Sequence, residues 1–283
     1  MHPRPLRVWC ANACVLPKGL GFSKEGDDRK EERLSALLKK CSEFDVVLMQ
    51  EVWACAWGGQ EGFYRQCTDE GWNTRCTPVN CLTNCGNLIL SKHPIVESSS
   101  HTFQASAGWQ RCMSNGVLHA SVSIQNDVVH FFTTHLQSDT VPYESALNQN
   151  AREVRKGQIL ELRDFVRSTC SEEALTFVAG DFNVGGGGEE YNEACNVLGL
   201  RSALETIDFP PTYNAESFLA PPGWRTQPEC ACLDHVFTNL TVVGMTVDTS
   251  EDISDHYPIE AICSLTLKTE LVLDPVRLPL DRS

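Results

Sequence analysis

The stretch Leu175-Thr176-Phe177-Val178-Ala179-Gly180-Asp181-Phe182-Asn183 is an apolar, strand-like run that ends in a carboxylate and an amide. Its shape recurs along the chain. Leu6 to Cys10 is followed by Asn12, Val46 to Gln50 by Glu51, and Val129 to Thr134 by His135. Asp234 opens the run that reaches Phe237, and Ser254-Asp255-His256 stands just before the run Ile259 to Leu267. Asn87 to Leu90 and Val117 to Ile124 add two more β signals. A sheet exposes side chains at the rim where its strands end, so these polar groups are predicted to gather along one edge. Asp181 and Asn183 are two apart and point the same way if the chain stays extended.

Helical patterns lie between some of the strands. Arg29 to Cys41 places Leu34, Leu37, Leu38 and Cys41 at i, i+3, i+4 and i+7, after a capping pair of Asp28 and Glu31. A second helix is predicted from Ala151 to Val166, with Ile159, Leu162, Phe165 and Val166 inward and Arg152, Arg155, Lys156, Glu161 and Arg163 outward. Strands mixed with helices, with no Pro/Ser-rich linker, predict a layered α/β protein. Because the candidate site residues run from Asn12 to His256, a split anywhere would divide one site. We therefore read one catalytic domain over 1–268 and a surface tail over 269–283.

Of the 283 residues, 42% are hydrophobic, enough for a large core. The formal net charge of −14 speaks against holding long nucleic acid by neutralising many phosphates, so no stable nucleic-acid partner is expected. Cutting at one phosphate needs only local charge and stays open. Apolar stretches fall well short of the roughly 20 residues of a membrane span, and the β-like run at Leu6 leaves little room for a leader. The fourteen cysteines are scattered as small hydrophobes would be. These features predict a soluble cytoplasmic chain, with secretion as the alternative.

Taken together, the strand-end groups have complementary chemistry. The set holds hard carboxylate and amide oxygens that suit Mg²⁺, a second histidine able to bind phosphate, and an Asp able to orient a His as a general base. At Gln50-Glu51-Val52, Thr134-His135-Leu136, Gly180-Asp181-Phe182-Asn183, Leu233-Asp234-His235 and Ser254-Asp255-His256, the chain resembles the endonuclease/exonuclease/phosphatase superfamily, the DNase I-like phosphoesterases. The resemblance implies a four-layered α/β sandwich of two mixed sheets flanked by helices. It assigns Mg²⁺ to Glu51 assisted by Asn12 and Asp255, and makes His256 the base, with Asp234 as its partner. It gives the phosphoryl oxygens to His135 and Asn183 and the orientation of the nucleophile to Asp181. Leu233-Asp234-His235 departs from the commoner Leu-Asp-Tyr and sets a titratable ring beside Asp234.

Thr134 to Asp139, Arg152, Gln158, Ser114-Asn115-Gly116 and Pro211-Thr212-Tyr213 are similar to the neutral sphingomyelinase branch. That likeness implies a phosphodiesterase that takes sphingomyelin, or a related choline phospholipid, to ceramide and phosphocholine. A DNase I-like nuclease or another phosphoesterase of the superfamily is the alternative. A lipid substrate must be met at a membrane surface, which places the chain peripherally at membranes, with Trp53, Trp57 and Trp224 as the candidate contacts.

Overall fold

The computed structural model describes residues 4–16, 28–53, 61–79, 84–108, 110, 114–139, 148–220, 231–250 and 253–267. The chain begins with β1 (Leu6–Val15), α1 (Lys30–Cys41), β2 (Val46–Val52), α2 (Glu61–Asp69), β3 (Asn73–Cys76) and β4 (Leu88–Ser91). It continues with β5 (Ile95–Thr102), β6 (Gly116–Ile124), β7 (Asp127–His135), α3 (Gln149–Thr169), β8 (Leu175–Asp181) and α4 (Glu189–Leu198). After a 3₁₀ turn at Ala203–Ile207 come β9 (Asp234–Thr238), β10 (Leu240–Val247) and β11 (Ile259–Leu267).

Two sheets result, one ordered β10-β11-β1-β2-β4-β3 and the other β5-β6-β7-β8-β9. Each is mixed. β1 pairs parallel with β2, and β7 parallel with β8, while the other neighbours run antiparallel. A parallel pair needs a crossover, and α1 and α3 are the helices that supply it. The carboxyl ends of both parallel pairs therefore open on one rim of the sandwich, where site residues follow.

Side-chain alternation builds the layers. Along β1, Leu6, Val8 and Cys10 enter the apolar layer shared by the two sheets, with Val46 and Leu48 of β2, Phe131 of β7 and Phe177 and Ala179 of β8. The opposite parity, Trp9, Ala11, Val47 and Met49, packs outward against Leu37, Leu38 and Cys41 of α1 and Phe63 of α2. On the second sheet Phe132, Val178 and Phe237 pack outward against Ile159 and Leu162 of α3 and Tyr191 and Ala194 of α4. The result is a helix-sheet-sheet-helix arrangement, the layered α/β protein of the strand pattern in the four-layered form that the resemblance implies.

Several local readings change. Arg29, in left-handed backbone, is the N-cap of α1 and no side chain caps the helix. Asp28 instead pairs with Lys30 at 3.0 Å. α3 is longer than its apolar pattern at both ends. Its Arg155 is buried, not outward, bonding Glu190 at 2.6 Å and Asp139 at 2.7 Å. Strands β3, β5 and β10 and helices α2 and α4 were not anticipated from pattern; β5 is mostly exposed and rich in serine, so it lacks apolar alternation. The tail 269–283 lies outside the described residues.

The ten described cysteines are unpaired and, except Cys76, buried or half-buried. Burial pushes the Cys263 thiol up to about 12. No helix among the described residues is long and apolar enough to cross a membrane.

Gly180 shows how tightly β8 is held between its neighbours. Its φ is +148°, and a Cβ there would stand 2.0 Å from the Thr134 carbonyl oxygen of β7. Gly180→Ala is expected to cost at least about 2 kcal/mol through backbone strain and overpacking. Urea unfolding should show a lower midpoint at unchanged slope; a wild-type midpoint would show that β7 and β8 are not locked at this position.

Candidate active site

The inner-face parity that fills the sandwich with apolar side chains runs on, at the rim, into polar ones. Asn12 follows Cys10 on β1, Gln50 follows Leu48 on β2, His135 follows Thr133 on β7 and Asp181 follows Ala179 on β8. Asn12 stands opposite Gln50 in one sheet, and His135 opposite Asp181 and Asp181 opposite Asp234 in the other. Just below the rim, Gln50 Nε2 donates to Thr133 Oγ1 at 2.7 Å and so ties the two sheets together.

Glu51 would follow the outward parity of Val47 and Met49, but its φ of +58° turns it out of the strand. Its carboxylate joins Asn12, whose Nδ2 donates to Glu51 Oε1 at 2.9 Å and to Asp181 Oδ2 at 3.0 Å. The turn requires Gly86 alongside, because a Cβ there would lie 2.9 Å from the Glu51 Cα.

Asp181 is the hub. Its Oδ2 faces His135 Nε2 at 3.6 Å and His256 Nε2 at 3.7 Å, while Oδ1 accepts from the Asn183 backbone at 2.9 Å. His256 Nδ1 meets Asp234 Oδ2 at 2.7 Å, and Tyr213 stands edge-on to the ring at 5.2 Å. Burial, joined by the Asp234 charge, pushes the Asp181 carboxyl up against the pull of His256 and His135. For His256, burial opposes the charged ring, yet the Asp234 and Asp181 charges prevail and raise its pKa well above the usual value.

Asp181 and Asn183 do not lie in extended chain. β8 ends at Asp181 and Asn183 takes a φ of +52°, so that its Nδ2 donates to the Leu136 carbonyl at 3.1 Å. Glu51, His135 and Asp181 place ligand atoms within 4.8 Å of one another, as do Asp181, Asp234 and His256. Among the described residues, neither Glu51 nor Asp181 has a lysine or arginine ion pair, so the cluster fits a cation. Asp255 belongs to neither group. Its charge, like that of Glu51, helps burial to raise the Cys14 thiol. Asp181 as a candidate metal ligand, and Tyr213 against the histidine, were not picked out as such by spacing.

Two readings around the site are corrected. Trp53 is only 2% exposed and lies behind His135, ring centroids 6.4 Å apart, so it offers no ring to a membrane. Its position just past β2 carries it inward, where its backbone N donates to the Val15 carbonyl. Trp57 and Trp224 lie outside the described residues. His235 neighbours Asp234 in sequence but faces the other side of β9, among Phe182, Tyr191 and Phe237, with Nε2 on the Val184 carbonyl at 2.8 Å.

Residues 11–256 match the Endonuclease/Exonuclease/phosphatase family, and the chain belongs to it. Within the family, the chain is similar to Sphingomyelinase C of Listeria ivanovii, 25% identical over 63% of this chain and 59% of that one. It is also similar to Sphingomyelinase C of Leptospira interrogans, 24% identical over 90% of this chain and 51% of that one. The matched region thus spans between half and three fifths of these relatives. Among solved structures, a magnesium-bound beta toxin variant from Staphylococcus aureus superposes with a TM-score of 0.74 at 20% identity, covering 92% of this chain and all of the other. D. rerio TDP2 with a single-strand DNA product superposes at 0.64 and 18% identity, covering 93% of this chain and all of the other.

Burial pushes the His235 pKa down from 6.5 to about 4, despite the Val184 carbonyl. A depressed histidine stabilises the fold fully above the unfolded value near 6.5 and loses that contribution as pH falls toward 4. Across this window the unfolded chain binds a proton that the folded one refuses, a slope of about 1.4 kcal/mol per pH unit. Unfolding of wild type and His235→Phe, compared between pH 4.5 and 6.5, should show a shallower dependence in the variant. Equal slopes would mean that His235 does not fold in its neutral form.

Proposed function

We propose that this chain is a Mg²⁺-dependent phosphoric diester hydrolase that cleaves sphingomyelin, or a related choline phospholipid, to ceramide and phosphocholine. The observation that carries the hydrolytic part is Asp181: one carboxylate shared between a cation-binding group with Glu51 and a His256–Asp234 pair. Support for the substrate comes from the sphingomyelinase relatives and from the pieces around Thr134 to Asp139 and Pro211 to Tyr213.

Glu51 holds the ion in this reading, with Asn12 and Asp255 assisting and Asp181 bordering the same site. A magnesium ion bound there supplies positive charge against the clustered carboxylates and against the charge that builds on the phosphoryl oxygens. Asp234 occupies the Nδ1 side of His256, which leaves Nε2 as the atom that takes a proton from the attacking water. Asp181, 3.7 Å from that nitrogen, orients the water. His135 and Asn183 serve as donors to the phosphoryl oxygens. In-line attack forms the new bond from the water oxygen to phosphorus as the bond between phosphorus and the ceramide oxygen breaks, and the proton that the ceramide oxygen takes up balances the one removed by His256.

The nuclease alternative needs a basic strip beside the site. α3 offers Arg152, Lys156, Arg163 and Arg167, but Arg155 is withdrawn into its ion pairs with Asp139 and Glu190. Lys156 faces Glu193 and Arg163 is paired with Asp164. What remains is a weak track for a polyanion.

Purified protein with Mg²⁺ should release phosphocholine from sphingomyelin vesicles faster than it cuts DNA, with a shallow dependence on salt. A polyanion-binding nuclease would show a steep one. Glu51→Gln is expected to lower turnover at least about a hundredfold, as losing a main electrostatic element does, and His256→Ala to abolish it. Faster DNA hydrolysis with a steep salt slope would establish the nuclease, and near-wild-type turnover of Glu51→Gln at limiting Mg²⁺ would remove Glu51 from the metal.

A further inference from the structure

Arg33 lies on the inward stripe of α1, four residues before Leu37, and is 2% exposed. A buried arginine is ordinarily matched by a carboxylate. Among the described residues Arg33 has no such ion pair. Its guanidinium donates instead to backbone carbonyls: Nη2 to Ala13 O at 2.5 Å and Cys14 O at 2.9 Å, Nε to Ile253 O at 2.7 Å, and Nη1 to Asp28 O at 3.3 Å.

The segments it joins are those of the site. Ala13 and Cys14 directly follow Asn12, where β1 slips register against β2 and Cys14 takes a φ of +48°. Ile253 directly precedes Ser254-Asp255-His256. A second rung joins the same two segments: Ser254 Oγ donates to the Asn12 carbonyl at 2.6 Å and accepts from the His256 backbone at 3.2 Å. Asn12 in turn bridges Glu51 and Asp181. The route from Arg33 to both halves of the site is therefore a short chain of hydrogen bonds.

We propose that Arg33 is a positioning residue: its guanidinium fixes the bulged end of β1 against the turn that carries His256, and so sets where His256 stands relative to the cluster of Glu51 and Asp181. The planar fork matters more than the charge. Its nitrogens point in fixed, different directions and reach carbonyls of separate segments at once, whereas an ammonium is a single point with three rotating donors. The charge of Arg33 pulls the Cys14 thiol down while those of Asp255 and Glu51 raise it. The kinetic consequence rests on the phosphodiesterase reading; the geometric one does not.

Arg33→Lys keeps the charge and loses the fork. Its kcat on a hydrolysed phosphodiester should fall between about tenfold and about a hundredfold with KM within about twofold, because misplacing reacting groups by about an ångström costs that much. In ¹⁵N-histidine-labelled protein, the His256 Nδ1 proton, assigned by its loss in His256→Gln, should shift in Arg33→Lys. Wild-type kcat with an unmoved His256 signal overturns the proposal. So does a loss of activity that only follows the folded fraction, the folded molecules turning over at the wild-type rate. Hydrogen exchange on the wild type tests the clamp without any variant. The Cys14 and His256 amides should open together with one free energy across a denaturant series, and independent openings overturn the proposal. If the wild type hydrolyses no phosphodiester, the functional reading fails, while the exchange and the histidine signal still decide the role of Arg33.

Discussion

Two sheets that bury their facing sides against each other impose one constraint on every strand in the sandwich: alternate residues belong to the shared layer until the strand leaves it. The parallel pairs β1–β2 and β7–β8 leave it at the same rim. Asn12, Gln50, His135 and Asp181 are what the inward parity meets when the apolar residues stop. The site is thus the continuation of the core, assembled from strand ends whose positions are set by packing several residues away. Ligand sites at the carboxyl ends of parallel strands follow the same logic in open α/β sheets.

This explains which parts of the molecule were legible in its sequence. Strands buried on both faces, such as Val46 to Gln50 and Leu175 to Gly180, read as continuous apolar runs, and the polar residue that follows each is conspicuous. β5 and β10 sit at the sheet edges: β5 is mostly exposed and rich in serine, and β10 is only half-buried, its apolar residues interrupted by Thr241, Gly244 and Thr246. The two inward arginines, Arg33 and Arg155, were hidden for a different reason. Helical periodicity assigns charge to the water side, and only the tertiary partners, carbonyls for one and carboxylates for the other, make burial tolerable. Arg33 could still be suspected from its place on the same stripe as Leu37. Arg155 likewise stands four residues before Ile159, and it is its partners, Asp139 and Glu190, that are remote in sequence.

The backbone breaks the β pattern where the chemistry needs a side chain re-aimed. Cys14, Glu51 and Asn183 all take positive φ, a conformation that costs a non-glycine residue free energy. At Glu51 it turns an outward-parity carboxylate into the site; at Asn183 it folds the amide back toward the end of β7. Spacing alone placed Asp181 and Asn183 side by side on an extended strand. The turn separates their tasks, leaving Asp181 at the centre and Asn183 at the edge. A sequence pattern carries periodicity but not the residue at which periodicity is abandoned.

Clustered carboxylates also set what the scaffold must supply. Among the described residues Glu51, Asp181 and Asp234 converge around His135 and His256 with no lysine or arginine ion pair, so like-charge repulsion works to open the site. The surroundings hold it closed through hydrogen bonds: Asn12 between two carboxylates, Ser254 between two segments, and Arg33 behind them on carbonyls. None of these groups cancels the acids. A lysine or arginine bonded directly to Glu51 or Asp181 would relieve the repulsion but fill the place a cation must enter. Placing the Arg33 guanidinium behind the backbone, bonded to Ala13, Cys14 and Ile253, braces the site and leaves its oxygens free for a metal.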